Sequence, residues 1–267
     1  INNSDECDNS ILINNLKTYK KLLNNKYNFE FVVIDAFSSG KAIPSKKAGV
    51  GISRKISIDT LLTYMNLETI ICFLDADTFI AKNYLFSIEK SQRKYKWKSA
   101  VVNFKHLQDK KKTSRLIREY ELFLKSTAKQ LKNSGSPYCF VPIGCSMMCT
   151  LYSYIGVGGM NVRKAAEDFY FLQELQKCYQ VYFIEKILVY PSSRYVNRSY
   201  LGTSKRMYEA INGNLDIRDL YYSKEAYKIL KSFLKLIKSS KNIDKDSIIL
   251  KAEKIDKRLH NFLCQNR

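Results

Sequence analysis

Two patterns of apolar positions alternate along the chain. Apolar residues at three- to four-residue spacing predict amphipathic helices, and short continuous β-branched or aromatic runs predict buried strands. The helical pattern covers 11–23, 53–65, 84–95, 114–131, 165–178, 224–238 and 248–263. The strand pattern covers 29–34, 69–74, 100–104, 181–184 and 187–190.

The order of these elements predicts an α/β fold. Helices separate most of the strands, an arrangement typical of a doubly wound, mostly parallel sheet that binds its ligands at the carboxyl ends of the strands. Two predicted helices follow the last strand. We therefore expect one catalytic domain over 1–205 and a C-terminal helical extension over 206–267.

The charge balance narrows the possible partners. The 267 residues include 45 Lys and Arg against 25 Asp and Glu, a formal net charge of +20. A basic surface attracts nucleic acid or an anionic membrane. The lysines, however, are scattered along the chain and are not interleaved with aromatic residues in the pattern that stacks on single-stranded nucleic acid. Nucleic-acid binding is therefore the less favoured interpretation.

Cysteine use and the N-terminal sequence bear on location. The seven cysteines are odd in number and contain no C-x-x-C pair, and the chain opens with no signal-peptide pattern, so we expect a cytoplasmic protein. The Lys-rich polar faces of the last two helices would allow peripheral contact with an anionic membrane. Because residue 1 is Ile and not Met, we also expect a preceding segment.

The sharpest chemical feature is an acidic pair, Asp75 and Asp77, at the end of the strand predicted over 69–74. Paired carboxylates suit Mg²⁺ or Mn²⁺ held together with a diphosphate. Phosphatases of the haloacid-dehalogenase type use D-x-D-x-T, but here Thr78 directly follows Asp77 and Phe79 takes the threonine position. This one-residue mismatch disfavours the phosphatase hypothesis. The alternative to a metal site is that the pair marks only the end of a strand followed by an aspartate that caps a helix.

A second feature combines glycines with another acidic pair. Gly158 and Gly159 allow close approach of the backbone to a ligand, and Glu167 and Asp168 begin a predicted helix. At the positive end of the helix dipole Asp168 would stay ionised and could accept a proton from a hydroxyl group. The alternative is that the two carboxylates only complement the dipole.

Basic residues and one histidine complete the candidates. Arg54 and Lys55, and further along Arg194 and Arg198, lie in or near loops expected to face the strand ends, where Arg grips phosphate oxygens with two hydrogen bonds. Any one of them is more often a solvated surface charge. His106 follows the strand predicted over 100–104 and is a candidate contact to metal or acceptor.

Four stretches of the sequence together resemble a known protein family. In order, 47–55, 73–78, 158–171 and the segment from Pro191 onward resemble family 2 glycosyltransferases of the GT-A fold, which are metal-dependent and inverting. The D-x-D pair alone is weak, but D-x-D followed by G-G-x and an E-D pair at this spacing is specific. The chain begins at what resembles the end of the family's second strand, so the family's N-terminal strand and helix unit is not found in it.

The resemblance implies roles for the acidic residues. Asp77, with Asp75, would bind Mn²⁺ or Mg²⁺ on the diphosphate of a nucleotide-sugar donor. Asp168, next to Glu167 in the E-D pair, would be the base that deprotonates the acceptor hydroxyl. The acceptor expected from the resemblance is a glycan or a lipid-linked molecule in cell-surface glycan synthesis.

The resemblance also implies donor contacts. Arg54 and Lys55 would touch the donor, and Arg194 and Arg198 would clamp its phosphates. Two alternatives remain open: a basic nucleic-acid-binding protein and a catalytically inactive protein, each on a degenerate transferase fold.

Overall fold

The computed structural model describes residues 1–108, 111–194, 202–240 and 244–266. Their helices are α1 Asn9–Asn24, α2 Val50–Asp59, α3 Tyr84–Tyr95, α4 Lys111–Asn133, α5 Leu151–Gly156, α6 Glu167–Tyr179, α7 Thr203–Ile211, α8 Lys224–Ser239, α9 Lys245–Glu253 and α10 Lys257–Gln265. Their strands are β1 Ile70–Cys72, β2 Phe79–Ile80, β3 Ser99–Phe104, β4 Met147–Thr150 and β5 Val181–Tyr190. The α/β class is confirmed.

The chain divides into two compact units. The first contains Ile1–Leu74, Trp97–Ala100 and Met147–Gln180. The second contains Asp75–Lys96, Val101–Ser146 and Val181–Arg267. The division predicted after residue 205 stays a prediction.

The first unit is built on an antiparallel strand pair. β1 pairs with β4 so that Ile71 lies opposite Cys149. The N–H of Thr150 also donates to the carbonyl of Lys98 at 2.9 Å, which ties β4 to the start of β3. Every residue of β4 is buried, because it lies inside the sheet. Helix α6 packs on this sheet through Phe171, whose ring meets that of Phe73 edge to face at 5.6 Å.

The second unit contains both parallel and antiparallel pairing. β2 pairs antiparallel with β5. The N–H groups of Lys105 and Leu107 donate to the carbonyls of Val189 and Pro191 at 3.2 and 2.9 Å, so these two segments advance in the same direction. The strand order is β1-β4-β3-β5-β2. The sheet is therefore mixed, which corrects the expectation of a mostly parallel sheet: apolar patterning marks a strand but carries no information about its direction.

The helices of the second unit have their own core. Ile117 and Tyr120 of α4 pack with Met207 of α7 and with Ile217 in a short 3-10 helix. Apolar residues recur along α4 on the face that makes these contacts, as its helical pattern predicts. Among the described residues, no helix has both the length and the apolar character needed to cross a bilayer.

The strand predicted over 29–34 is wrong. This segment forms no strand, and Phe29 and Val32 are exposed. Near its end, the carbonyl of Ile34 accepts from the terminal amine of Ile1, and Ala36 forms an isolated bridge with Asn2. A strand requires a paired backbone as well as an apolar run, and only the run is visible in the sequence.

Other element boundaries also differ. The strands predicted over 181–184 and 187–190 are one strand, β5. The helix predicted over 248–263 is two helices, because the Asp256 side chain accepts from the N–H groups of Arg258 and Leu259 and begins α10. The helix predicted over 53–65 begins at Val50 and ends at Asp59.

Candidate functional site

The acidic pair begins helix α6, as predicted. Ala166 adopts a left-handed conformation, with φ 56°, immediately before the helix. Glu167 and Asp168 are the acidic residues of the first turn, where the backbone N–H groups create a positive partial charge. Asp168 is partly buried, and its Oδ1 accepts from the N–H of Phe169 at 2.7 Å. The side chain of Asp168 therefore has a defined position at the helix start.

Glu167 forms an ion pair inside the first unit. Its Oε1 lies 2.7 Å from Nη1 of Arg54 on α2, and the two side chains are only 10% and 11% exposed. At this distance the charge-assisted hydrogen bond is strong. Arg54, predicted as a donor contact, is thus directed toward Glu167, which joins two residues 113 positions apart.

The loop before α6 lies directly against the start of α2. A side-chain carbon added to Gly51 would come 2.5 Å from the carbonyl oxygen of Asn161 and 2.8 Å from that of Arg163. The side-chain amide of Asn161 donates to the carbonyl of Glu167 at 2.8 Å. No role was predicted for Gly51 or Asn161. Because the helix was predicted to begin at residue 53, the sequence places Gly51 before it and gives no sign of this close packing.

Lys55 belongs to a neighbouring polar network. Its Nζ lies 2.9 Å from Oδ2 of Asp59, and the hydroxyl of Tyr154 donates to the other carboxylate oxygen at 2.9 Å. Burial raises the pKa of Tyr154, so this hydroxyl stays protonated and acts as a donor. Gly159, with φ 78°, passes close to the Lys55 amine. The network supports the glycine turn between α5 and α6, and a donor contact through Lys55 stays a prediction.

The second acidic pair follows β1 and lies in the second unit. The N–H of Thr78 donates to the carbonyl of Asp75 at 3.0 Å, which closes a turn around the pair. Asp75 is exposed, and the carboxylate of Asp77 contacts the guanidinium of Arg194. The structure thus brings Arg194 to Asp77 as a counter-ion. Arg198 lies outside the described residues.

The metal prediction depends on this pair alone. Within the described parts of the chain, no cluster of three or more His, Cys, Asp or Glu side chains could hold a metal ion. Two carboxylates are nevertheless sufficient where a substrate phosphate supplies the other ligands, as is usual for Mg²⁺. Asp75 and Asp77 have the oxygen ligands that an ion arriving with a diphosphate would need, but Asp77 already contacts Arg194, and a metal site here stays a prediction.

His106 contacts the carboxylate of Glu121 inside the fold. It is buried, and its Nδ1 lies 3.1 Å from Oε2 of Glu121, which also accepts from the His106 backbone N–H at 2.9 Å. Lys125 donates to the other oxygen of Glu121 at 2.7 Å. Burial raises the pKa of Glu121, but the bonds from His106 and Lys125 outweigh it and lower the pKa to about 2. These contacts tie the end of β3 to α4.

Comparison with known proteins gives no family assignment. No protein-family model matches the chain. No curated protein sequence matches it either.

Proposed function

We propose that the chain is an inverting glycosyltransferase of the GT-A fold, which moves a sugar from a nucleotide-diphosphate donor to an acceptor hydroxyl. The observation that carries the proposal is the start of α6. Asp168 lies in its first turn, directly after a glutamate whose charge is paired inside the fold with Arg54. A fixed carboxylate at the positive end of a helix is suited to act as a general base.

The proposed reaction is a single displacement. Asp168 accepts the proton of the acceptor hydroxyl while the hydroxyl oxygen forms a bond to the anomeric carbon. The bond from that carbon to the donor phosphate oxygen breaks, and its electron pair leaves with the nucleoside diphosphate. Attack opposite the leaving group inverts the anomeric configuration.

Asp75 and Asp77 would hold Mn²⁺ or Mg²⁺ together with the donor diphosphate. The ion supplies positive charge that neutralises the leaving diphosphate. Arg194, which contacts Asp77, would bind the same phosphates with its planar guanidinium. Lys55 and Arg198 remain proposed donor contacts.

The wider setting is proposed by analogy with the family that the sequence resembles. The acceptor would be a glycan or a lipid-linked molecule, and the pathway would be cell-surface glycan synthesis. The protein would act in the cytoplasm, in peripheral contact with the membrane. The five lysines of α8, which are all exposed, support a contact with anionic lipid.

A nucleotide-sugar panel with Mn²⁺ tests the function. We expect release of nucleoside diphosphate from one donor class, and loss of that release on chelation. Asp168→Asn should lower kcat by roughly 10²–10⁴-fold, the usual contribution of a general base, with nearly unchanged donor binding. Glu174→Gln is the matched control, because Glu174 is an exposed carboxylate of the same helix whose ion pair, with Lys177 at 2.7 Å, lies on the surface.

Two results would count against the proposal. Full turnover by the Asp168→Asn variant would exclude it as the base, and donor binding that ignores chelation would exclude a metal at Asp75 and Asp77. Absence of turnover with every donor, together with RNA binding that weakens steeply with salt, would instead favour the nucleic-acid-binding alternative.

A further inference from the structure

The contact between α2 and the start of α6 is unusually close. The backbone of the loop before α6 reaches α2 at Gly51, where only a hydrogen atom fits. At Gly49, one residue before α2, an added carbon would lie 3.0 Å from the Cα of Lys164. The first turn of α2 therefore sets the path of the backbone that leads into Glu167.

Two hydrogen bonds then hold Glu167 itself. Arg54 donates to its carboxylate at 2.7 Å, and the side chain of Asn161 donates to its backbone carbonyl at 2.8 Å. Asp168 is the next residue, in the same helical turn. Any rotation of the Glu167 backbone would therefore move the Asp168 carboxylate.

We propose that Arg54 is a positioning residue, which acts through Glu167 to fix the orientation of Asp168. The resemblance implies a donor contact at Arg54, whereas the structure directs its guanidinium to a buried carboxylate within the fold. This inference rests on the proposed function. It assigns Glu167 to the support of the base and leaves the proton transfer to Asp168.

A donor contact at Arg54 and a positioning role for Arg54 predict different kinetics. A lost donor contact raises the donor KM, because it weakens binding in ground state and transition state alike. A misplaced base lowers kcat with little change in KM, and a displacement of about 1 Å costs on the order of 100-fold. Arg54→Met should therefore lower kcat about 30- to 100-fold and change the donor KM by less than about threefold.

Three further variants separate positioning from general stability. Arg54→Lys keeps the charge but loses the planar fork, so it should recover part of kcat. Arg54→Met combined with Glu167→Gln removes the unpaired buried charge, and this double variant should fold well yet keep the low kcat. Lys98→Met is the control, since it breaks another ion pair of the first unit, with Glu68 at 3.0 Å.

A second readout does not depend on turnover. Hydrogen exchange followed by mass spectrometry should show faster exchange over 161–170 in Arg54→Met and unchanged exchange there in Lys98→Met. A raised donor KM with unchanged kcat, or unchanged exchange over 161–170, would overturn the positioning role. If the wild-type chain turns over no donor, the proposed function fails. The exchange data would still test whether Arg54 holds the start of α6 through Glu167.

Discussion

Gly51→Ala tests the close approach of α2 to the loop before α6. The added methyl group would lie 2.5 and 2.8 Å from two backbone carbonyl oxygens, those of Asn161 and Arg163. Carbonyl oxygens of a packed loop cannot rotate away as a side chain can, so either the loop or α2 must shift. Overpacking of this kind costs about 1–3 kcal/mol.

An opposing effect limits the loss. Alanine in a helix is more stable than glycine by about 0.5–1 kcal/mol, because glycine loses more backbone entropy on folding. Because a 2.5 Å contact with a backbone oxygen is severe, the upper half of the overpacking range applies, and the net expectation is a destabilisation of about 1–2.5 kcal/mol. For a chain of this size each kcal/mol lowers Tm by roughly 2–4 °C.

Thermal and urea unfolding of the purified proteins measure the effect. Ser57→Ala is the matched control, since Ser57 is an exposed position of the same helix and its change to alanine creates no clash. We expect the stability of that control to stay within about 0.5 kcal/mol of wild type. A Gly51→Ala protein as stable as wild type, or more stable, would show that the loop does not press against α2 and would weaken the proposed link from α2 to Asp168.

Two further predictions concern Glu121 on α4 and Thr78 beside the acidic pair. The carboxylate of Glu121 has a pKa lowered from 4.5 to about 2, so it stabilises the fold above about pH 4.5 and loses that effect as the pH falls toward 2. The difference in unfolding free energy between wild type and Glu121→Gln should therefore shrink from about 2–3 kcal/mol at pH 7 toward zero near pH 2; a difference independent of pH would refute the charge-assisted network around Glu121. The Thr78 hydroxyl is buried and has no hydrogen-bond partner among the residues that the structure describes, so Thr78→Val should leave urea stability unchanged or raise it by up to about 1 kcal/mol, whereas a loss above that size would reveal a partner for the hydroxyl.

The elements that patterning predicts well are those with an unambiguous apolar pattern, which is one face in helix α4 and nearly the whole length of strand β3. Helix α4 and strand β3 were expected near their actual positions because apolar spacing alone specifies them. The segment over 29–34 was mispredicted because it has the composition of a strand without a paired backbone. β2 was not expected at all, since two exposed residues form a strand only through pairing with β5. Pairing between distant segments is the part of the fold that local pattern does not contain.

The candidate site shows the same limit at the level of single residues. The sequence identifies Glu167 and Asp168 because an acidic pair at a predicted helix start, following the glycine pair Gly158 and Gly159, matches the family that the sequence resembles. It does not identify the partner of Glu167, since Arg54 is 113 residues away and an arginine near a loop is equally consistent with a phosphate contact. The structure changes the expected chemistry of Arg54 by burying its guanidinium against a carboxylate, where removing one partner leaves an uncompensated charge. Arg54→Met should therefore be less stable than the double variant that also carries Glu167→Gln. Equal stability of the two variants would show that Glu167 does not depend on Arg54 for its charge balance in the free protein.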